Sequence, residues 1–325
     1  MLYPAELRDH ALSIAKPKRG GNHKEHRTTA METVERRSSF FAVFRCMVNQ
    51  SFPGPVLLKL SVVHLAALAM LSAPAAAAEA CAQLRMEPGG VIVEVTDGDT
   101  VVLDSGLVVR MIGTQAPKLP LGREGFATWP LAPEAKAALE ALALNRTVQL
   151  GYGGERVDRY DRALAHVFVE TDQGPVWAQH HMVAAGLARV YSFPDNRSCL
   201  DLLFAAEGRA RLAGLGIWRN SFYSVRAADD PDDLLGRVGN YELVEGRVLL
   251  AEQGGGRVYL NFGRHWKEDF TAVIERQALR LFASDAFDPL VLEGALVRIR
   301  GWVDDRDGPR IEITHPEQIE VLATR

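Results

Sequence analysis

From residue 88 onward, apolar and polar positions alternate in short runs, the period of half-buried strands. The segment GGVIVEVTDGDTVVLDSGLVVRMIG predicts three short antiparallel strands, turned at Asp97-Gly98 and Asp104-Ser105-Gly106. After a proline-rich stretch at 117–133 the period lengthens. PEAKAALEALALNR sets Ala135, Ala138, Leu139 and Leu142 on one face, which predicts a helix ending near Asn145. Period two returns at 147–152 and 163–170. A helix over 177–187, an extended piece at 189–193 and a helix over 199–212 complete the region. Five strands with a helix between the third and fourth is the order of an OB barrel.

An acidic, turn-rich linker, residues 223–237 with the run AADDPDDLLG, separates this region from another patterned one. There YELVEGRVLLAE and GRVYLNFG predict strands, and DFTAVIERQALRLFAS predicts a helix. LEGALVRIRGWVDDRDGPRIEITHPEQIEVL predicts further strands with a turn at Asp307-Gly308. Residues 238–325 therefore read as a second small OB-like barrel. The fold class expected is mainly β with helices, as two β-barrels in series.

The N-terminal eighty residues follow other rules. In LLKLSVVHLAALAMLSAPAAAAEAC, Lys59 precedes a short apolar run, then Pro74 and small residues. That is the order of a secretory signal, and the run is shorter than the about 20 residues of a membrane span. Cleavage after Ala78 or Ala80 would deliver the chain to the periplasm or beyond, with no transmembrane segment in the mature protein. A signal sits at the start of a chain, so Met47 is read as the start, with Met31 second. Residues 47–80 are then the signal peptide, and 1–46 a non-native or disordered extension. Removing the signal leaves Cys81 and Cys199, which in an oxidising compartment form one disulfide or stand as two unrelated buried thiols.

Composition narrows the function. With 47% hydrophobic and 24% charged residues over 325 positions, the chain is neither disordered nor fibrous. The net charge of −4 hides an asymmetry. Residues 1–78 hold ten Lys/Arg against five Asp/Glu, and the remainder hold 27 against 36. An acidic body argues against tight, sequence-independent nucleic-acid binding, though a local basic cleft remains compatible with it.

Five separated motifs, VTDGDTVVL, RMIGTQAP, DRYDRALAHVF, GLARVY and GIW, resemble the staphylococcal nuclease (thermonuclease) family in order and spacing. The resemblance covers about residues 88–222 and gives residues 81–222 as a nuclease-like OB domain; a C-terminal module like 238–325 accompanies some bacterial relatives. It implies metal-dependent phosphodiester hydrolysis of nucleic acids. A calcium ion is held by two aspartates and a carbonyl, a glutamate activates water, and two arginines grip the phosphate. Carried over by position, the first metal aspartate is Asp99. The phosphate-binding arginines are Arg110 and Arg162, with Tyr160 beside the second; Tyr191 and Phe193 lie near where the family stacks a nucleobase, with core packing the equal alternative.

Two positions depart from the pattern. Gln115 stands at the second metal aspartate, and Lys118 at the water-activating glutamate. The three positions change from −3 to zero net charge, and a protonated lysine accepts no proton. Calcium is expected to bind weakly or not at all. Lys118 paired to Asp99 would instead stand in for the metal and help attract a nucleic acid or nucleotide phosphate between Arg110 and Arg162. For both arginines the plainer alternative is salt bridging to Asp97, Asp158 or Asp161, and for Asp99 a turn-stabilising role. Within the long loop 119–133, Glu124 is the one carboxylate able to replace the lost base. His180 and His181 are adjacent, about 100° apart on a helix, and so do not readily share a metal. In the acidic C-terminal module, which reads as a packing or protein-partner module, His265 and Trp266 follow a glycine and precede a charged turn. The competing functions are therefore an impaired nuclease, a non-catalytic binding or interaction protein, and a structural envelope module.

Overall fold

The computed structural model describes Cys81 and residues 83–324; the predicted signal and the extension before it lie outside these residues. Strands β1 (Arg85–Asp97), β2 (Thr100–Leu103) and β3 (Val108–Met111) form an antiparallel meander. A short strand β4 (Gly113–Gln115) and helix α1 (Ala132–Ala143) follow. Strand β5 (Thr147–Tyr152) then returns along β1, and β6 (Ala163–Val169) pairs with β5. A parallel pairing of β3 with β6 closes five strands into a barrel. Ile92, Val101, Leu103, Val109, Met111, Leu150 and Val167 fill its core at the alternate positions their spacing marks out.

Outside the barrel, β7 (Val176–Trp177) leads into α2 (Ala178–Ala184). Strand β8 (Arg189–Tyr191) pairs with β4, and α3 (Leu200–Leu212) packs on α2. Cys81 and Cys199 are joined by a disulfide, Cα atoms 5.6 Å apart, which ties the entry of β1 to the start of α3. A disulfide typically stabilises by roughly 2–4 kcal/mol.

The second barrel starts inside the acidic stretch. Strand β9 (Arg226–Ala227) pairs with β10 (Tyr241–Arg247), and the short helix α4 (Pro231–Leu235) buries Leu234 completely. Strands β11 (Leu250–Gly254), β12 (Arg257–Asn261), β13 (Thr271–Ile274), β14 (Leu296–Asp305), β15 (Pro309–Ile313) and β16 (Ile319–Ala323) build its curled sheet. The helix predicted over DFTAVIERQALRLFAS forms only at its end, as α5 (Leu279–Ser284). Its first half is β13, fully buried between β12 and a parallel β15. An apolar run buried on both faces suits a sheet interior, and tertiary pairing overrides the local helical spacing.

The two barrels meet along β8 and the residues just after it. Tyr191 packs with Tyr241, Leu243, Phe193 and Trp302 in a small apolar cluster. Ser192 Oγ lies 2.7 Å from His315 Nε2, and Arg197 Nε donates to Glu317 at 2.7 Å. Arg300, wholly buried on β14, donates to the carbonyl of Val190 at 3.2 Å and to Glu207 of α3 at 3.0 Å, and pairs with Glu320.

Candidate functional site

The turn between β1 and β2 carries Asp97, Gly98 and Asp99. A Cβ on Gly98 would lie 2.6 Å from the Cβ of Ala116 and 2.9 Å from that of Ala135. Only glycine lets this turn press against the chain after β4 and the first turn of α1. Both aspartates are consequently buried, Asp99 completely and Asp97 almost so.

Lys118 reaches into the turn. Its Nζ lies 2.7 Å from each carboxylate oxygen of Asp99 and 3.1 Å from Oδ2 of Asp97. Asp99 Oδ2 also accepts the backbone N–H of Ala116 at 2.7 Å, and Oδ1 accepts the Thr100 hydroxyl at 3.3 Å. Arg110 adds a longer ion pair to Asp99 at 3.3 Å. Burial works against the charge of Asp97, but Lys118, the Asp99 contacts and Arg110 hold it below the usual carboxylate range. Burial pushes Asp99 up, against the pull of Arg110 and Lys118. Two carboxylates and two cations thus form a closed cluster of zero net charge.

The remaining candidates are placed as follows. Arg110 turns inward, with Nη1 donating to the carbonyl of Met111 at 2.7 Å and Nη2 to that of Thr114 at 2.8 Å. Arg162 is gripped by Asp158, with Nε donating at 2.7 Å, beneath the exposed ring of Tyr160. Tyr191 is buried against the second barrel, and its hydroxyl accepts from Trp302 Nε1 at 3.0 Å. Phe193 packs edge-on to Tyr191. Glu124 is exposed, and no hydrogen bond or ion pair joins it to Asp99 among the described residues. His265 and Trp266 are exposed on a loop tied by Asp269, which accepts the His265 N–H at 2.7 Å.

Gln115 is buried and meets a partner that the motifs do not reveal. It sits directly opposite Arg189 in the β4–β8 pairing, and its carbonyl oxygen accepts from Arg189 Nε at 3.0 Å and Nη2 at 2.9 Å. The signal for Arg189 lies in GLARVY, but its facing residue is set only by strand register. Asp97 was legible only as one possible arginine partner; Lys118 is its actual one.

The donor set does not suit calcium, which takes six to eight oxygens. Asp99 already receives an ammonium and an amide, and the oxygen of Gln115 faces a guanidinium. Among the described residues, no three His, Cys, Asp or Glu side chains are grouped to hold a metal.

Comparisons with known proteins agree with this fold. The family model for staphylococcal nuclease homologues matches residues 108–220. A thermonuclease of Staphylococcus intermedius is 30% identical over 134 residues, covering 39% of this chain and 74% of the relative. The chain belongs to the staphylococcal nuclease family. Another similar member, a thermonuclease of Staphylococcus hyicus, is 27% identical over 132 residues, 40% of this chain and 75% of its own. The family uses calcium, and its fold suggests contact with nucleic acid. No helix among the described residues is long and apolar enough to cross a membrane.

Proposed function

We propose that this is an exported staphylococcal nuclease-family protein whose catalytic centre has been rebuilt into an internal ion pair, and that it acts as a binding or interaction module. Export rests on the signal-like segment ending near Ala78 or Ala80 and on the disulfide between Cys81 and Cys199, which suits a periplasmic or extracellular setting. The single observation that carries the loss of hydrolysis is Lys118 Nζ at 2.7 Å from both oxygens of Asp99. It fills the position of the metal and leaves no base where water would be activated. Losing one well-placed electrostatic group commonly costs about 10²–10³ in rate, and here two carboxylates are replaced.

The arginines read the same way. The guanidinium of Arg110 is committed to backbone carbonyls and Asp99, so a phosphate there would have to displace internal contacts. Arg162 is paired to Asp158 at 2.7 Å but keeps 30% of its side chain exposed beside Tyr160, and this is the surface at which a phosphate or nucleotide is proposed to be held. Incubating the purified chain with single-stranded DNA, with calcium and with chelator, tests the proposal. No calcium-dependent cleavage is expected. Cleavage that needs calcium and stops with chelator would overturn it.

A further inference from the structure

The Lys118 reading accounts for one half of the centre, the Asp97–Asp99 turn. The other half is position 115, and the chain places a different cation there. Arg189 is buried and forks Nε and Nη2 onto the Gln115 oxygen, at 3.0 and 2.9 Å. Its guanidinium sits among three aromatic rings, 5.0 Å from the centre of Tyr241, 5.7 Å from Tyr223 and 6.0 Å from Trp129. Glu242, also buried, adds an opposing charge through space and itself pairs with Arg226 at 3.7 Å. Tyr241 and Glu242 both belong to β10 of the second barrel, Tyr223 to the segment leading into it, and Trp129 to the loop that begins beside Lys118.

A buried guanidinium keeps its charge, and stacked faces and a carboxylate offset its desolvation. Gln115 fits this arrangement because it offers a neutral acceptor. A carboxylate at 115 would be neutralised by the same fork before any divalent ion arrived. We infer that Arg189, packed against Tyr241 of the second barrel, is the cation that closes the position-115 side of the former metal centre, so that restoring carboxylates at 115 and 118 does not restore calcium binding while Arg189 stays. This gives the C-terminal barrel a role in the first barrel's site, and it rests on the Lys118 reading above.

Calcium calorimetry on the full chain separates the two ideas. Wild type is expected to show no binding, and tight binding by wild type would sink the Lys118 reading itself. The variant Gln115→Asp/Lys118→Glu is expected to gain little. Adding Arg189→Met together with Glu242→Gln, which removes both buried charges at once, is expected to tighten calcium binding at least about tenfold over that double variant. Strong calcium binding by the double variant, or no gain in a folded variant lacking Arg189, would overturn the role of Arg189. A second measurement needs no change at Arg189. Gln115→Glu keeps the side-chain length and places a charge before the fork. Its melting temperature should stay within about 4 °C of wild type, whereas a drop of about 10 °C, as for an unpaired buried charge, would show that Arg189 is not its counter-ion.

Discussion

Two buried ion clusters, one in the mouth of the first barrel and one between the barrels, use the same chemistry to different ends. At the mouth, Asp97, Asp99, Arg110 and Lys118 come from within 22 positions of one another. The Lys118 side chain keeps 21% of its surface exposed, so water stands at the door of the cluster. Between the barrels, Glu207, Arg300 and Glu320 are gathered from more than a hundred positions; the Arg300 and Glu207 side chains are sealed at 0% and 1% exposed, while Glu320 keeps 25%. Burial alone would lower its pKa, but Glu207 and Glu320 more than offset that. Pairing partners that are sealed from water depend on one another for folding. At the mouth, Lys118 can swing out and be rehydrated, while its two acids stay buried. The Arg300–Glu207 pair therefore helps lock the two barrels together, and Lys118 is the cation of the first cluster that water can reach.

The largest effect should come from breaking the sealed cluster. Arg300→Met leaves buried Glu207 with the longer Arg211 pair at 3.3 Å and takes a donor from Val190, at an expected cost of about 3 kcal/mol. Chemical denaturation would read it as a lower midpoint, and a loss below about 1 kcal/mol would erase the difference between the clusters.

Acid probes the same interface more gently. Burial pushes His315 down to about 3, helped by Arg197 and Arg300, and pushes His166 in the first barrel down to about 4. Both rings are neutral in the fold, while unfolding frees each to take a proton near its ordinary 6.5. The unfolded chain therefore binds more protons below that pH. Stability should be complete above about 6.5 and fall toward pH 4 and below, by up to about 3 kcal/mol for each ring. A denaturation midpoint that stays flat from pH 7 to 4.5 would contradict this. His315→Asn should remove the share that belongs to the interface.

The smallest effect is expected at the mouth. Lys118→Met leaves Asp97 and Asp99 with Arg110 and entering water, and should cost about 1–2 kcal/mol. A loss as large as that of Arg300→Met would show that Lys118 is as sealed as the interface.

Much of the first barrel was legible because its strands follow period two and its turns carry Asp-Gly and Ser-Gly. Gln115 and Lys118 stand out because the motif around them is contiguous, and the proposal that they replace two carboxylates rests on that motif. The helix expected over 269–284 was misread in its first half because β13 is short, apolar and buried on both faces, where periodicity does not separate strand from helix. Tyr191 shows the same limit at the site. Its place in GLARVY is visible, but the second barrel that covers it is not.

The sequence by itself determined the family, the barrel order and the residue types at positions 99, 115 and 118, because each depends on residue type and short spacing. Only the tertiary structure decided that Lys118 spans both aspartates, that Arg189 faces Gln115, and that Arg300 meets Glu207. Those contacts follow from strand register and from the docking of one barrel on another. Both arise from packing many side chains at once, and no local stretch of residues encodes them.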